Sequence, residues 1–248
     1  MDQVLLITGG GRGIGAATAL LAAQRGYAVA VNYASNSLAA DEVVRTIRAN
    51  GGAAMAVQAD VGDEAQVLAM FQKVDARFGR LTALVNNAGV VDVQARVADM
   101  SVARLERMFR INVIGSFICA REAVRRMSTK YGGTGGAIVN ISSGAARLGS
   151  PDQYVDYAAS KGAIDTFTIG LAKEVAAEGI RVNAVRPGII YTDIHASGGM
   201  PDRASDLAPT VPMQRTGSAD EIAGAILWLL SPEASYTTMA LLDVTGGR

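Results

Sequence analysis

Tyr157 and Lys161, in the segment Tyr157-Ala158-Ala159-Ser160-Lys161, are the pair in this 248-residue chain whose types and spacing point most directly to chemistry. On a helix, a four-residue spacing stacks the phenol and the ammonium on one face. A free tyrosine has a pKa of about 10, too high for efficient proton exchange near neutrality. A neighbouring cation favours the phenolate, so Lys161 is expected to lower that value and make Tyr157 a usable acid and base. The spacing alone also occurs on ordinary helix surfaces. Tyr154 is a nearby competitor without a lysine four residues on. Ser142-Ser143, after an apolar run, offers hydroxyls that either shape a turn or donate to a substrate carbonyl as charge develops on its oxygen. Asn112 lies in a helical stretch where asparagine is a poor former, either solvated or holding a water that relays protons towards Lys161.

A second constellation opens the chain. Thr8-Gly9-Gly10-Gly11-Arg12-Gly13-Ile14-Gly15 follows a short apolar run and precedes an Ala/Leu-rich helix. Without side chains in the way, a pyrophosphate approaches such a backbone closely, and the helix start presents unpaired N–H groups and its positive dipole end. The segment lacks the G-x-G-x-x-G fingerprint; its glycines at 9, 13 and 15 fit T-G-x-x-x-G-I-G. Cofactor choice turns on the next strand, whose end reads Val31-Asn32-Tyr33-Ala34-Ser35-Asn36 without a carboxylate. An acid there would hold a ribose 2′-hydroxyl and repel a 2′-phosphate, whereas Arg12 attracts the phosphate. NADP(H) is therefore expected over NAD(H), with Arg12, Tyr33, Ser35 and Asn36 at its adenosine end.

Positioning these groups requires a regular scaffold. Strands are expected over Gln3–Thr8, Ala28–Tyr33, Ala54–Gln58, Leu81–Asn86, Ala137–Ile141, Arg181–Val185 and Ala240–Val244. Helices are expected over Gly13–Arg25, Ser37–Asn50, Asp63–Phe78, Ser101–Met127, Tyr154–Glu178 and Ala219–Leu230. This alternation predicts an α/β, Rossmann-type, doubly wound parallel sheet of about seven strands with helices on both faces. Ligands bind such sheets beyond the carboxyl ends of the strands, where the strand order switches.

Half the residues are hydrophobic and 19% are charged, which excludes a disordered chain. No linker or repeat divides the sequence, so residues 1–248 read as a single domain. Formal net charge is zero, with 23 basic and 23 acidic residues, leaving no electrostatic footprint for nucleic acid or an anionic membrane. The single Cys119 cannot pair within the chain, and no leader or long apolar span is visible, so a cytoplasmic location is expected. No metal site is expected from one histidine and one cysteine at unrelated positions.

Together these residues resemble the short-chain dehydrogenase/reductase family along essentially the whole chain. The resemblance rests on T-G-x-x-x-G-I-G at 8–15, Asp60-Val61, Asn86-Asn87-Ala88-Gly89, Asn112, Ser143, Tyr157-x-x-x-Lys161 and Pro187-Gly188-x-x-x-Thr192. It is nearest in look to 3-oxoacyl-carrier-protein reductases and glucose-dehydrogenase-like members. It implies that Tyr157 exchanges the proton, Ser143 orients the carbonyl, Lys161 also binds the nicotinamide ribose, and Asn112 holds the relay water. It further implies adenine contacts at Asp60 and Val61, and a strip beside the adenosine ribose at Asn87, Ala88 and Gly89. Pro187, Gly188, Ile190 and Thr192 would fix the carboxamide, and a homotetramer would pair the Tyr/Lys helix and the last long helix.

Two positions depart from the family pattern. Thirteen residues separate Ser143 from Tyr157 where twelve is commoner, which keeps Ser142 in play, and Thr238-Met239 stands where Thr-Gly is frequent. Residues 188–217 hold no periodic element and are expected to form a substrate-covering segment. His195 within it reads as a surface residue. Arg121, Arg125 and Arg126 could serve an acyl-carrier partner or simply solvate a helix. The substrate stays open among small carbonyl or alcohol compounds. A dinucleotide-binding sensor or scaffold without turnover is the competing reading.

Overall fold

The computed structural model describes residues 3–192, 198–200 and 202–248. The strands are β1 (Val4–Ile7), β2 (Ala28–Tyr33), β3 (Ala54–Gln58), β4 (Ala83–Asn86), β5 (Gly136–Ile141), β6 (Ile180–Pro187) and β7 (Leu241–Val244). They pair in parallel, in the order β3-β2-β1-β4-β5-β6-β7. Parallel pairing forces every connection to cross over, and the crossovers bury both sheet faces. Hence β1 reads as a continuous apolar run, every residue of it inaccessible.

Alternation within each strand divides the core in two. On one face Leu5, Ile7, Val29, Val139 and Val185 pack with helices α1 (Gly13–Gln24), α2 (Ser37–Ala49) and the last long helix. On the other, Val4, Leu6, Leu84, Ile138 and Val182 meet α3 (Glu64–Phe78), α5 (Gly115–Met127) and α7 (Val155–Val175). Cys119 is sealed in this second layer, where burial pushes its thiol up to about 12 and leaves it inert at neutral pH.

The stretch Ser101–Met127 is not one uninterrupted α-helix. It comprises α4 (Val102–Phe109), a wide π turn over Arg110–Ile114, and α5. A π turn inserts one residue into the helical repeat and is frequent at functional sites. This one carries Asn112, 1% exposed. Two short helices escape the sequence periodicity: α6 (Ala145–Leu148) and α8 (Arg203–Leu207), the latter inside the segment expected to lack regular structure. The last long helix, α9 (Ala219–Leu230), begins with a reciprocal cap between Ser218 and Glu221. Its apolar face, Ile222, Ile226, Leu227 and Leu230, is consumed by the intrachain core.

Candidate active site

The carboxyl ends of the strands open into one cleft of about 710 Å3, running from the end of β2, past the β1–β4 switch, to the end of β6. Gly9, Gly11, Arg12, Gly13, Ile14, Tyr33, Ser35, Asn36, Asp60, Val61, Asn87, Ala88 and Gly89 line one half. Ser143, Tyr157, Lys161, Pro187, Gly188, Ile190 and Thr192 line the other. Of the residues singled out by the sequence, Gly15 and Asn112 are buried behind the cleft wall.

Helix capping separates α1 from α2, α3, α4 and α9, while α7 likewise starts without a side-chain cap. Asn36, Asp63, Ser101 and Ser218 each place a side-chain oxygen on the first turn of α2, α3, α4 and α9. The N-cap of α1 is Arg12, which makes no such bond, and the first turn holds no acidic residue. The amides and positive dipole end of α1 are thus left for an anion. Gly13 adopts φ 52°, and a Cβ on it would stand 3.3 Å from Thr192 Cγ2. A Cβ on Gly15 would stand 2.5 Å from the Gly9 carbonyl oxygen, so the helix can approach the loop only without one. This cradle fits a pyrophosphate.

Side chains from three strands hold the cradle in place. The Asn87 and Ala88 amides donate to Thr8 Oγ1 at 2.9 and 3.0 Å, and Asn87 Nδ2 donates back to the Thr8 and Gly9 carbonyls at 2.9 and 3.0 Å. The Gly9 amide donates to Asn32 Oδ1 at 3.1 Å, while Asn32 Nδ2 reaches the carbonyls of Val57 and Ala59. Asn32 escapes a reading that looks only for a carboxylate. Its signal was an amide in an apolar strand, which must find partners when buried. At the β2 end, Asn36 Oδ1 is committed to the Ala39 amide as the α2 cap, leaving its NH2 group as the donor available to a ligand. Asp60 is the single carboxylate among the described cleft residues, and its Oδ1 accepts from the Gly62 amide at 2.8 Å.

At the other end, the two serines divide. Ser142 is 1% exposed and donates inward to the Lys161 carbonyl at 3.2 Å. Ser143 is half-buried and accepts from the Ala145 amide at 3.1 Å. Tyr157 and Lys161 occupy successive turns of α7, with Lys161 Nζ 5.6 Å from the phenol ring centre. Nζ donates to the Ile141 carbonyl at 2.7 Å.

Burial pushes the Tyr157 phenol above its ordinary value, and the Ser143 hydroxyl draws it back only in part. The lowering expected from Lys161 does not set the direction of the phenol's shift; burial does, and it works on the ammonium as well. Lys161 is pushed down to about 8, with the Asp165 charge one turn along opposing the shift. Both ends of the Asn112 amide are engaged: Oδ1 accepts from the Val90 amide at 2.8 Å, and Nδ2 donates to the Val90 carbonyl at 3.0 Å and Ser160 Oγ at 3.1 Å. It braces the strand-end loop against α7. Ser160, inside the Tyr/Lys segment, had no sequence signal for this role.

A family model described as enoyl-(acyl carrier protein) reductase matches residues 9–248. An uncharacterized oxidoreductase of Escherichia coli K12, YgfF, is 58% identical over 245 residues, covering 99% of each chain. A 3-oxoacyl-[acyl-carrier-protein] reductase of Synechocystis is 40% identical over 99% of this chain and 96% of its own. A double mutant of a Serratia marcescens short-chain dehydrogenase/reductase superposes with a TM-score of 0.91 at 34% identity, covering 100% of this chain and 98% of that one.

The chain belongs to the short-chain dehydrogenase/reductase family. It is an oxidoreductase fold whose family implies a nicotinamide dinucleotide, and the cradle above fits that group.

Its two departures from the short-chain dehydrogenase/reductase pattern have structural reasons. The longer interval between Ser143 and Tyr157 is absorbed in a tight turn after α6, where Ser150 and Asp152 take φ of 46° and 59°. Both Ser143 and Tyr157 remain on the cleft. Met239 takes φ 67°, the left-handed region where glycine is at ease, while its amide donates to the Val182 carbonyl at 2.7 Å. Tyr154 lies at the start of α7, its hydroxyl 3.5 Å from the Gly198 carbonyl. His195 lies outside the described residues. Among the described residues, no His/Cys/Asp/Glu group is arranged to hold a metal, and no helix is long and apolar enough to cross a membrane. Arg121 and Arg126 of the basic helix are ion-paired to Glu64 and Asp75, and all three arginines there converge on Glu122.

Proposed function

We propose that the protein interconverts a carbonyl and an alcohol with NADP(H), using Tyr157 as the acid and base. The observation that carries this reading is the sharing of one cleft by Ser143, Tyr157 and Lys161 with an uncapped helix start and a carboxylate-free β2 end. When bound, the dinucleotide supplies or accepts the hydride.

The remaining work falls to the chain's own groups. The first-turn amides of α1 hold the pyrophosphate, and Arg12, Ser35 and the Asn36 amide hold the 2′-phosphate. Asp60, Val61 and the strip Asn87 to Gly89 frame the adenosine. Lys161 holds the nicotinamide ribose, and Pro187, Gly188, Ile190 and Thr192 set the carboxamide.

Ser143 donates to the substrate oxygen as negative charge builds on it. The Tyr157 phenol, pushed up by burial, gives its proton to that oxygen in reduction and takes one back in oxidation. Asn112 positions Val90 and the Ser160 side chain behind the reacting groups; of the substrate-covering segment expected at 188–217, residues 193–197 and 201 lie outside the described residues.

The test is an NADPH-coupled screen of ketones, sugars and 3-oxoacyl thioesters with the wild type and Tyr157→Phe. Turnover lost by about 1,000-fold in the variant, with NADPH affinity kept, is the expected result. Cofactor binding without turnover on any compound would instead identify a dinucleotide sensor.

A further inference from the structure

We propose that the substrate carries a carboxylate, received by Arg248 and Arg203 at the end of the cleft beyond Tyr157; this rests on the dehydrogenase reading above. The argument starts from charge accounting along the cleft. Its lining includes four side-chain cations, Arg12, Lys161, Arg203 and Arg248, against the single side-chain carboxylate Asp60. Arg12 and Asp60 belong to the dinucleotide half, and Lys161 is bound to the Ile141 carbonyl. Arg203 and Arg248 are unaccounted for by any role assigned so far.

Nearby arginines are neutralised by carboxylates: Arg147 by Asp243 at 3.2 Å, Arg186 by Asp165 at 2.7 Å, and Arg215 by Glu221 at 2.6 Å. Among the described residues, Arg203 and Arg248 have no Asp or Glu side chain as partner. The Arg203 guanidinium lies 5.2 Å over the ring of Tyr154, a contact that orients its plane and leaves its donors to reach elsewhere. Arg248 stands where the main cleft meets a second cavity of about 500 Å3, the two sharing Ile189, Ile190, Thr245 and Arg248 itself. Its Nη1 is shielded from solvent and meets no acceptor. A guanidinium cannot shed its charge, so a buried, unmatched donor on it costs free energy until an anion arrives.

The backbone holds this group in place. Arg147 Nη2 donates to the Arg248 carbonyl at 3.2 Å, and Arg147 is itself fixed by Asp243. Arg147 lies in α6, the helix that follows Ser143, so the side chain that holds the Arg248 main chain is carried by the element next to the carbonyl-orienting hydroxyl. A planar guanidinium matches a carboxylate through two parallel hydrogen bonds.

The experiment measures NADPH-dependent reduction of 3- and 4-oxo acids, each beside its methyl ester, by the full-length protein, with isothermal titration of the same acids and esters as a second arm. We expect kcat/KM to favour the acid by at least about tenfold, mainly through KM, as one charge-assisted contact supplies. Arg248→Gln should collapse the acid-to-ester ratio, and Arg248→Lys should retain part of it. Esters equal to or better than acids, in turnover and in titration, would overturn the proposal. A preference confined to a phosphorylated ketone over its free alcohol would overturn the carboxylate in favour of a phosphoryl group. If no compound is reduced, the dehydrogenase reading fails by itself; acid binding that Arg248→Gln abolishes still supports the anion site, and equal binding of acid and ester refutes it.

Discussion

Lys161 Nζ donates to the main-chain carbonyl of Ile141, the last residue of β5, at 2.7 Å. The bond fixes the ammonium to the sheet edge, so its distance from the phenol one turn earlier is set by the packing of α7 on β5 rather than by the freedom of a long side chain. The ammonium is also deep enough for burial to bring it to about 8.

That depression makes folding pH-dependent. The unfolded chain holds the Lys161 proton up to its ordinary value of 10.5, the folded chain only to about 8. Below pH 8 both states are protonated and the burial penalty is fully present. Between the two values the unfolded state binds more protons, so stability rises with pH. Relative to Lys161→Met, the wild type should gain up to about 3 kcal/mol over this window, measured by urea unfolding at a series of pH values. A difference that stays flat with pH would refute the buried ammonium.

Cofactor choice is tested at the β2 edge. Removing Arg12 takes away one charge-assisted contact to a 2′-phosphate, so Arg12→Ala should lose about tenfold in kcat/KM with NADPH and far less with NADH. Ser35→Asp should move preference further towards NADH by placing a carboxylate where a phosphate would lie. Arg12→Ala losing both cofactors equally would remove the 2′-phosphate role.

Met239 pays for its left-handed backbone. Glycine adopts φ 67° without the Cβ clash, and the relief of about 1–2 kcal/mol exceeds the extra chain entropy glycine brings to the unfolded state. Met239→Gly is expected to raise Tm by a few degrees, read by calorimetry. A lowered Tm would show that the methionine side chain earns its place through contacts.

Assembly is the fourth prediction. Phe117 on α5, 48% exposed, stacks on Phe167 of α7 at 3.8 Å between ring centres, and Trp228 is 42% exposed on α9. Half-open aromatics on α9 and stacked against the Tyr/Lys helix α7, the two helices that the family resemblance pairs across two-fold axes, favour a tetramer. Sedimentation velocity at micromolar concentration should give one species near four times the 25.7 kDa chain, and Phe117→Asp should dissociate it. A monomeric wild type would end the tetramer reading.

Much of this was legible in the sequence, and the reason differs by element. β2, β3 and α9 form over the ranges their patterns indicate, because apolar runs bounded by glycine or a Ser-x-x-Glu cap leave little freedom in placing their ends. The π turn at Arg110–Ile114 was not legible, since apolar spacing continues through it and the break depends on where the Asn112 side chain finds partners. α6 and α8 are too short to show a period. For the site, residues adjacent to strand ends were readable because the parallel sheet brings all such ends to one edge. Arg203 and Arg248 were not, as neither follows a strand-end motif that marks it. The sign of the phenol shift was also misjudged, because sequence gives the neighbouring charge but not how deeply both groups are buried.

Asn32 joins the phosphate cradle to β2 and β3 through main-chain groups alone, and no part of it reaches Ser35 or Asn36. A change of dinucleotide preference made at Ser35 or Asn36 would therefore leave the Asn32 bonds that hold the grip untouched, whereas one made at Arg12 falls within the grip itself.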